Sequence, residues 1–145
     1  TKVINPNFLR FIEWAQKLRA GEPVEAFSKL MVSLVPVESL VDIMIKALGE
    51  NWDGIIHVSG PEEKSYYEIA RILARNLLCS DKYVLPIDNS SKLIVNSRGY
   101  ATLQIAQRIK ASSVELPDTE AVVSRWCRSY LSNIAPPNGK PDQSY

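Results

Sequence analysis

The chain has 145 residues, enough for one domain with a core of its own. Seventeen basic residues face sixteen acidic ones, and apolar residues make up 46%, the balance of an ordinary globular domain. Nothing here forms a basic stripe for nucleic acid or a polybasic helix for an anionic membrane, and the longest apolar-rich run, Met31 to Val37, is too short to span a bilayer.

In chain order, Val3-Ile4 reads as strand, and because Thr1 stands almost directly before it the sequence is expected to be a piece of a longer chain. Asn5-Pro6-Asn7 is a turn and cap signal, with Asn7 the expected N-cap. Phe8, Phe11, Ile12, Ala15 and Leu18 then recur at helical spacing, and Gly21 and Pro23 end that helix. Two β-prone runs follow, Val24 to Phe27 and Met31 to Val35. A helix from about Glu38 has Val37, Leu40, Val41, Met44, Ile45 and Leu48 as its apolar stripe, the pattern of a core-facing helix, and Gly49 should stop it.

Gly54 to Pro61 reads as a short strand closed by a turn. Ser65-x-x-Glu68 is a capping box, and the helix it opens should bury Tyr66, Ile69, Ala70, Leu73 and Leu77. Lys82 to Ile87 is a further strand and Asp88 to Gly99 a polar loop, followed by a short helix over about Ala101 to Ile109. Asp118 should cap a last helix from which Ala121, Val122, Trp126 and Tyr130 face inward. The Pro-rich end, residues 136–145, reads as a disordered tail beyond a domain of residues 1–135. Helices alternating with short strands give an α/β or mixed α+β class. No internal repeat is present.

Few residues offer chemistry. No glycine-rich dinucleotide loop, P-loop or serine-hydrolase elbow occurs, and the glycines are isolated. One histidine and two distant cysteines make no metal set, and Cys79 and Cys127 read as reduced, mostly buried thiols of a cytosolic protein. His57 reads as a strand histidine satisfied by a local hydrogen bond rather than as a general base. Tyr66 and Tyr67 are followed four residues on by Ala70 and Arg71, not by the lysine that would make a tyrosine an acid. They read as packing residues, and Trp14 and Trp126 as core or interface.

Several segments resemble one family in their order and spacing. They are Asn7-Phe8-Leu9; Gly21-Glu22-Pro23-Val24 leading to Val32-Ser33-Leu34-Val35-Pro36-Val37-Glu38; Gly54-Ile55-Ile56-His57-Val58-Ser59-Gly60 followed by Ser65-Tyr66-Tyr67-Glu68; and Arg98-Gly99-Tyr100 with Leu116-Pro117-Asp118. Together they resemble the C-terminal, substrate-binding portion of extended short-chain dehydrogenases/reductases, the NAD-dependent epimerase/dehydratase family, and most of all the dTDP-4-dehydrorhamnose reductases. The resemblance covers about residues 1 to 133.

It implies a Rossmann-type fold without its N-terminal dinucleotide-binding portion. It also implies an oxidoreductase whose full-length relatives use NAD(P), while this chain holds no cofactor, no metal and no catalytic residue. The implied ligand is a nucleotide-sugar, contacted by Asn7, Phe8, Ser33 and Arg98. Asn7 serves equally as a plain cap, and Arg98 as a solvated loop charge. Val32 and Val35 stand where relatives carry a phosphate-gripping Arg and a Thr.

Two other readings follow from the same resemblance. One is a regulatory or protein-binding module, like the regulatory beta subunit of methionine adenosyltransferase. The other is an inactive remnant that self-associates. The expected partners are a second copy or the missing Rossmann half, or for the module a stable protein partner, with neither nucleic acid nor membrane involved.

Overall fold

The computed structural model describes residues 1–88, 109 and 112–134. The expected loop from Asp88, the helix near 101–109 and the tail at 136–145 lie almost wholly outside them. The first strand, β1 (Lys2–Ile4), runs into helix α1 (Leu9–Ala20) and then strand β2 (Val24–Phe27). Next come β3 (Met31–Val32), β4 (Leu34–Pro36) and α2 (Val37–Gly49). After β5 (Lys64–Ser65) and α3 (Tyr66–Asn76), a 3-10 turn at Asp81–Tyr83 leads to β6 (Val84–Ile87), and α4 (Thr119–Ile134) follows. This is the mixed α/β class the sequence implies.

The strands form three two-stranded sheets. β1 pairs with β4 in parallel, Val3 opposite Val35, and β2 with β6 in parallel, Ala26 opposite Pro86. β3 pairs antiparallel with β5, Met31 opposite Ser65. The run Met31 to Val35 is therefore two strands rather than one. It breaks at Ser33, where the chain leaves one sheet for another. The strand expected at Lys82 begins at Val84, because the preceding residues close a tight turn.

Helix ends follow local chemistry. Gly21 adopts φ 73°, and its N–H donates to Leu18 O while that of Glu22 donates to Lys17 O, which satisfies the last carbonyls of α1. Asn51 at φ 50° and Leu78 at φ 56° end α2 and α3 with the same pair of bonds. Gly49 is thus the last residue of α2, and Asn51 rather than Gly49 makes the left-handed stop. α3 opens on the expected capping box. Ser65 Oγ accepts from the Glu68 N–H at 3.1 Å, and the Ser65 N–H donates to Glu68 Oε2 at 2.8 Å.

The core lies among α1, α3, α4 and the strands. Phe11, Trp14, Ala15 and Leu18 meet Ile69, Ala70, Ile72 and Leu73, and α4 adds Val122, Val123, Trp126 and Cys127. Ala121, expected inside, is exposed, while Val123 and Cys127 take the inward positions. Each fully buried large side chain contributes about 1.5–3 kcal/mol. Burial pushes the Cys127 thiol up to about 12, so it stays protonated at neutral pH.

α4 is held at its start by two carboxylates. Asp118 Oδ1 accepts from the Ala121 N–H at 2.7 Å, and Glu62 Oε1 from the Thr119 N–H at 2.9 Å. Burial opposes ionisation of Glu62, but the Lys64 ammonium at 2.9 Å and the Thr119 amide outweigh it and hold the carboxyl below its ordinary range.

Two further expectations fail. Segment 54–60 pairs with no strand among the described residues, Ile55 is 87% exposed and His57 is exposed. An extended run becomes a strand only when a neighbour offers its backbone. Of the α2 stripe, Val41, Met44, Ile45 and Leu48 face outward, and Val37 and Leu40 are half-buried. Ser39 and Ile43 are the buried residues of the helix. No described helix is long and apolar enough to cross a membrane.

Candidate functional site

The turn from β1 into α1 builds a groove of about 460 Å³ lined by Lys2, Asn5, Asn7, Phe8, Leu9, Arg10, Glu13 and Tyr66. Asn5, not Asn7, ties the turn. Its Oδ1 accepts from the Asn7 N–H at 2.9 Å and its carbonyl from the Phe8 N–H at 3.1 Å. The turn is pinned from behind, because Trp126 Nε1 donates to Pro6 O at 3.1 Å.

Phe8 therefore holds the N-cap position of α1, and it supplies no side-chain cap. With no acidic residue in the first turn, the positive end of the helix is left without a carboxylate of its own. The Phe8 ring packs edge-on against Phe11, centroids 5.0 Å apart, and Phe11 against Trp126 at 5.3 Å. The Arg10 guanidinium lies 5.3 Å from the Tyr66 ring and 5.8 Å from Trp14. Burial pushes the Tyr66 hydroxyl up, and the charge of Arg10 offsets part of that rise. The result is a rigid aromatic wall with a held cation beside free helix-end amides, and Lys2 adds a second positive charge. Glu13 brings one carboxylate to the same lining, so two cations and the helix-end amides face one anion, a positive balance that suits a bound anion.

Of the four residues the sequence singles out, the fold brings Asn7 and Phe8 together here. Ser33 is fully buried elsewhere, its Oγ 2.7 Å from Ser59 Oγ and 3.3 Å from Thr1 Oγ1, and it accepts from the Gly60 N–H at 3.2 Å. Its hydroxyl thus joins segment 59–60 to the start of β4. Arg98 lies outside the described residues. Val32 and Val35 are 4% and 1% exposed and serve the core.

The sequence does not mark Lys2 or Arg10 as site residues, and it reads Tyr66 as helix packing. Arg10 falls in the same turn as Phe8 and was within reach of a helix reading. Tyr66 comes from α3, and nothing local announces it. The sequence also leaves unmarked a groove of about 700 Å³ where α2 and α4 meet residues 113–117, with Asp42, Lys46, Glu115 and Arg125 on its walls.

The turn from β1 to α1 reads Asn5-Pro6-Asn7 and carries none of the glycines of the Rossmann dinucleotide pattern.

No family model and no curated protein matches the sequence. Solved structures do. A dTDP-4-dehydrorhamnose reductase from Clostridium acetobutylicum superposes with a TM-score of 0.75 at 11% identity, over 92% of this chain and 47% of that one. The Bacillus anthracis reductase in complex with NADP gives 0.71 at 17% identity, over 86% and 44%. The Bordetella bronchiseptica enzyme WbmG in complex with NAD and UDP gives 0.69 at 13%, over 89% and 43%. The chain spans less than half the length of each of these structures. It thus shares its fold with a little under half of the extended short-chain dehydrogenase/reductase architecture that these enzymes carry.

Proposed function

We propose that this chain is the nucleotide-sugar-binding lobe of an NAD(P)-dependent reductase or epimerase. In this reading a separate dinucleotide-binding half supplies the cofactor and the proton-handling residues. The observation that carries it is the groove at the start of α1, cationic at Lys2 and Arg10 and walled by Phe8 and Tyr66. It lies on a fold shared with enzymes solved with NADP and with UDP.

A diphosphate would sit at the helix end, against the Leu9 and Arg10 amides, with the Arg10 fork and Lys2 neutralising it. The Asn7 amide would contact the sugar or ribose. Phe8 would exclude water from one side of the phosphates, which strengthens every charge contact there.

Calorimetric titration with dTDP- and UDP-sugars tests the proposal. Binding is expected, with Arg10→Ala together with Lys2→Ala weakening it at least about tenfold, a loss of about 1.4 kcal/mol. No binding, or binding indifferent to those substitutions, overturns it. A protein-binding module on the same fold is the second reading, and the outward apolar stripe of α2 favours it.

A further inference from the structure

The groove at the start of α1 has Lys2, Arg10 and Glu13 on its wall, and no two of them pair. Among the described residues Glu13 makes no ion pair and no side-chain hydrogen bond, although Arg10 stands one turn before it on the same helix. Base before acid is the weaker order for such a pair, because it opposes the helix dipole. Arg10 is also engaged elsewhere, 5.3 Å from the Tyr66 ring and 5.8 Å from Trp14. An exposed carboxylate is thus left free in a groove whose balance is positive.

A ligand whose anion sits at the helix end meets that carboxylate next. The Glu13 Cα lies about 6 Å along the axis from that of Leu9. Helical side chains lean toward the N-terminus, so Glu13 leans back over the turn that receives the anion. This rests on the nucleotide-sugar reading of the groove, and it adds which arm of the ligand runs along α1 and which group that arm must lack.

Two arms leave the diphosphate of a nucleotide-sugar. A nucleobase binds by stacking on an open aromatic face. Tyr66 already meets the Arg10 guanidinium and, at right angles, the Trp14 ring, centroids 6.2 Å apart. The wall beyond Arg10 therefore offers polar groups rather than a stacking platform. That suits the sugar arm, whose hydroxyls donate to a carboxylate. A uronate carries a carboxylate where a neutral hexose carries its terminal hydroxymethyl, and so sets a like charge beside Glu13. The repulsion grows as the ligand displaces water from the groove.

We infer that Glu13 is a specificity-determining residue of this groove, accepting hydroxyl donors from a neutral hexose and excluding a uronate.

Calorimetric titration of the purified chain with UDP-glucose and UDP-glucuronate at low salt tests this. The two ligands share nucleotide and ring and differ by one charge. UDP-glucuronate is expected to bind at least about tenfold more weakly. Glu13→Gln keeps an acceptor and removes the charge. It should bring the two ligands within about threefold by raising the affinity for UDP-glucuronate, a gain that damage to the fold cannot give. Its thermal melt should not change, because Glu13 is exposed and unpaired. Added salt should narrow the difference in the parent chain, since exposed charges are screened. Equal binding of the two ligands by the parent chain, or a difference that survives Glu13→Gln, overturns the inference and leaves the groove a nucleotide-sugar site. Binding of neither ligand overturns both.

Discussion

Helices α2 and α3 have nearly the same length and are both amphipathic, yet they use their apolar faces in opposite ways. α3 turns Ile69, Ile72 and Leu73 into the core, all at 3% exposure or less. α2 turns Met44, Ile45 and Leu48 outward and rests on Ser39 and Ile43. A hydrophobic period states which residues share a face. It does not state what covers that face. α3 is therefore held by its own domain, and α2 by β4, by the bond from Ser39 Oγ to Glu115 O at 3.2 Å, and by whatever meets its outer side.

The largest test of that contrast is a pair of truncations. Leu73→Ala should lower unfolding stability by about 3 kcal/mol, since Leu73 is fully buried. Leu48→Ala should change the protomer by no more than about 0.5 kcal/mol. Equal losses in urea denaturation of the monomer would erase the distinction between the two helices.

Gly60→Ala comes next. A Cβ there would run into the Leu34 carbonyl of β4, the strand that anchors α2, so a loss of about 2 kcal/mol in the same denaturation is expected. An unchanged midpoint would mean the clasp yields freely.

Ser65→Ala removes the hydroxyl that caps α3 and should cost about 1 kcal/mol. α2, which opens on Pro36, has no side-chain cap to lose.

The helix ends supply a smaller contrast with the opposite sign. α2 stops on Asn51, a residue that tolerates the left-handed region, whereas α3 stops on Leu78, 95% exposed at φ 56°. Leu78→Gly relieves that strain at no packing cost and should stabilise by about 0.5 kcal/mol, read as a raised melting temperature.

The smallest effect is one of pH. Glu62 has a lowered folded pKa, so its share of stability is present above the unfolded carboxylate range and is lost as pH falls through the folded value. Glu62→Gln should flatten that acid-side slope, and an unaltered slope would remove Glu62 from the account.

The parts of this fold that could be read in the sequence are those set within one turn of chain. Ser65 and Glu68 specify the start of α3, Gly21 the end of α1, and Asp118 the start of α4, because each bond closes locally. What needed a distant partner could not be read. Segment 54–60 has strand composition without a strand beside it. Val41 to Leu48 has a core pattern without a core over it. In the candidate site Asn7 and Phe8 were legible because they begin a helix, whereas Lys2 and Tyr66 reach the groove from β1 and α3. Ser33 looked like a ligand contact by position, and its burial against Ser59 appears only once segment 59–60 has folded back onto β4.

The bond from Trp126 to Pro6 spans 120 positions of sequence. It closes behind the turn that shapes the groove, and it belongs to the last described helix. Loops this long are slow to close. During synthesis, α1 can coil and α3 can cap while the turn before α1 is still unsupported. That turn gains its backing only when α4 has left the ribosome. Any ligand that needs a settled groove therefore meets a receptor only after α4 has been made.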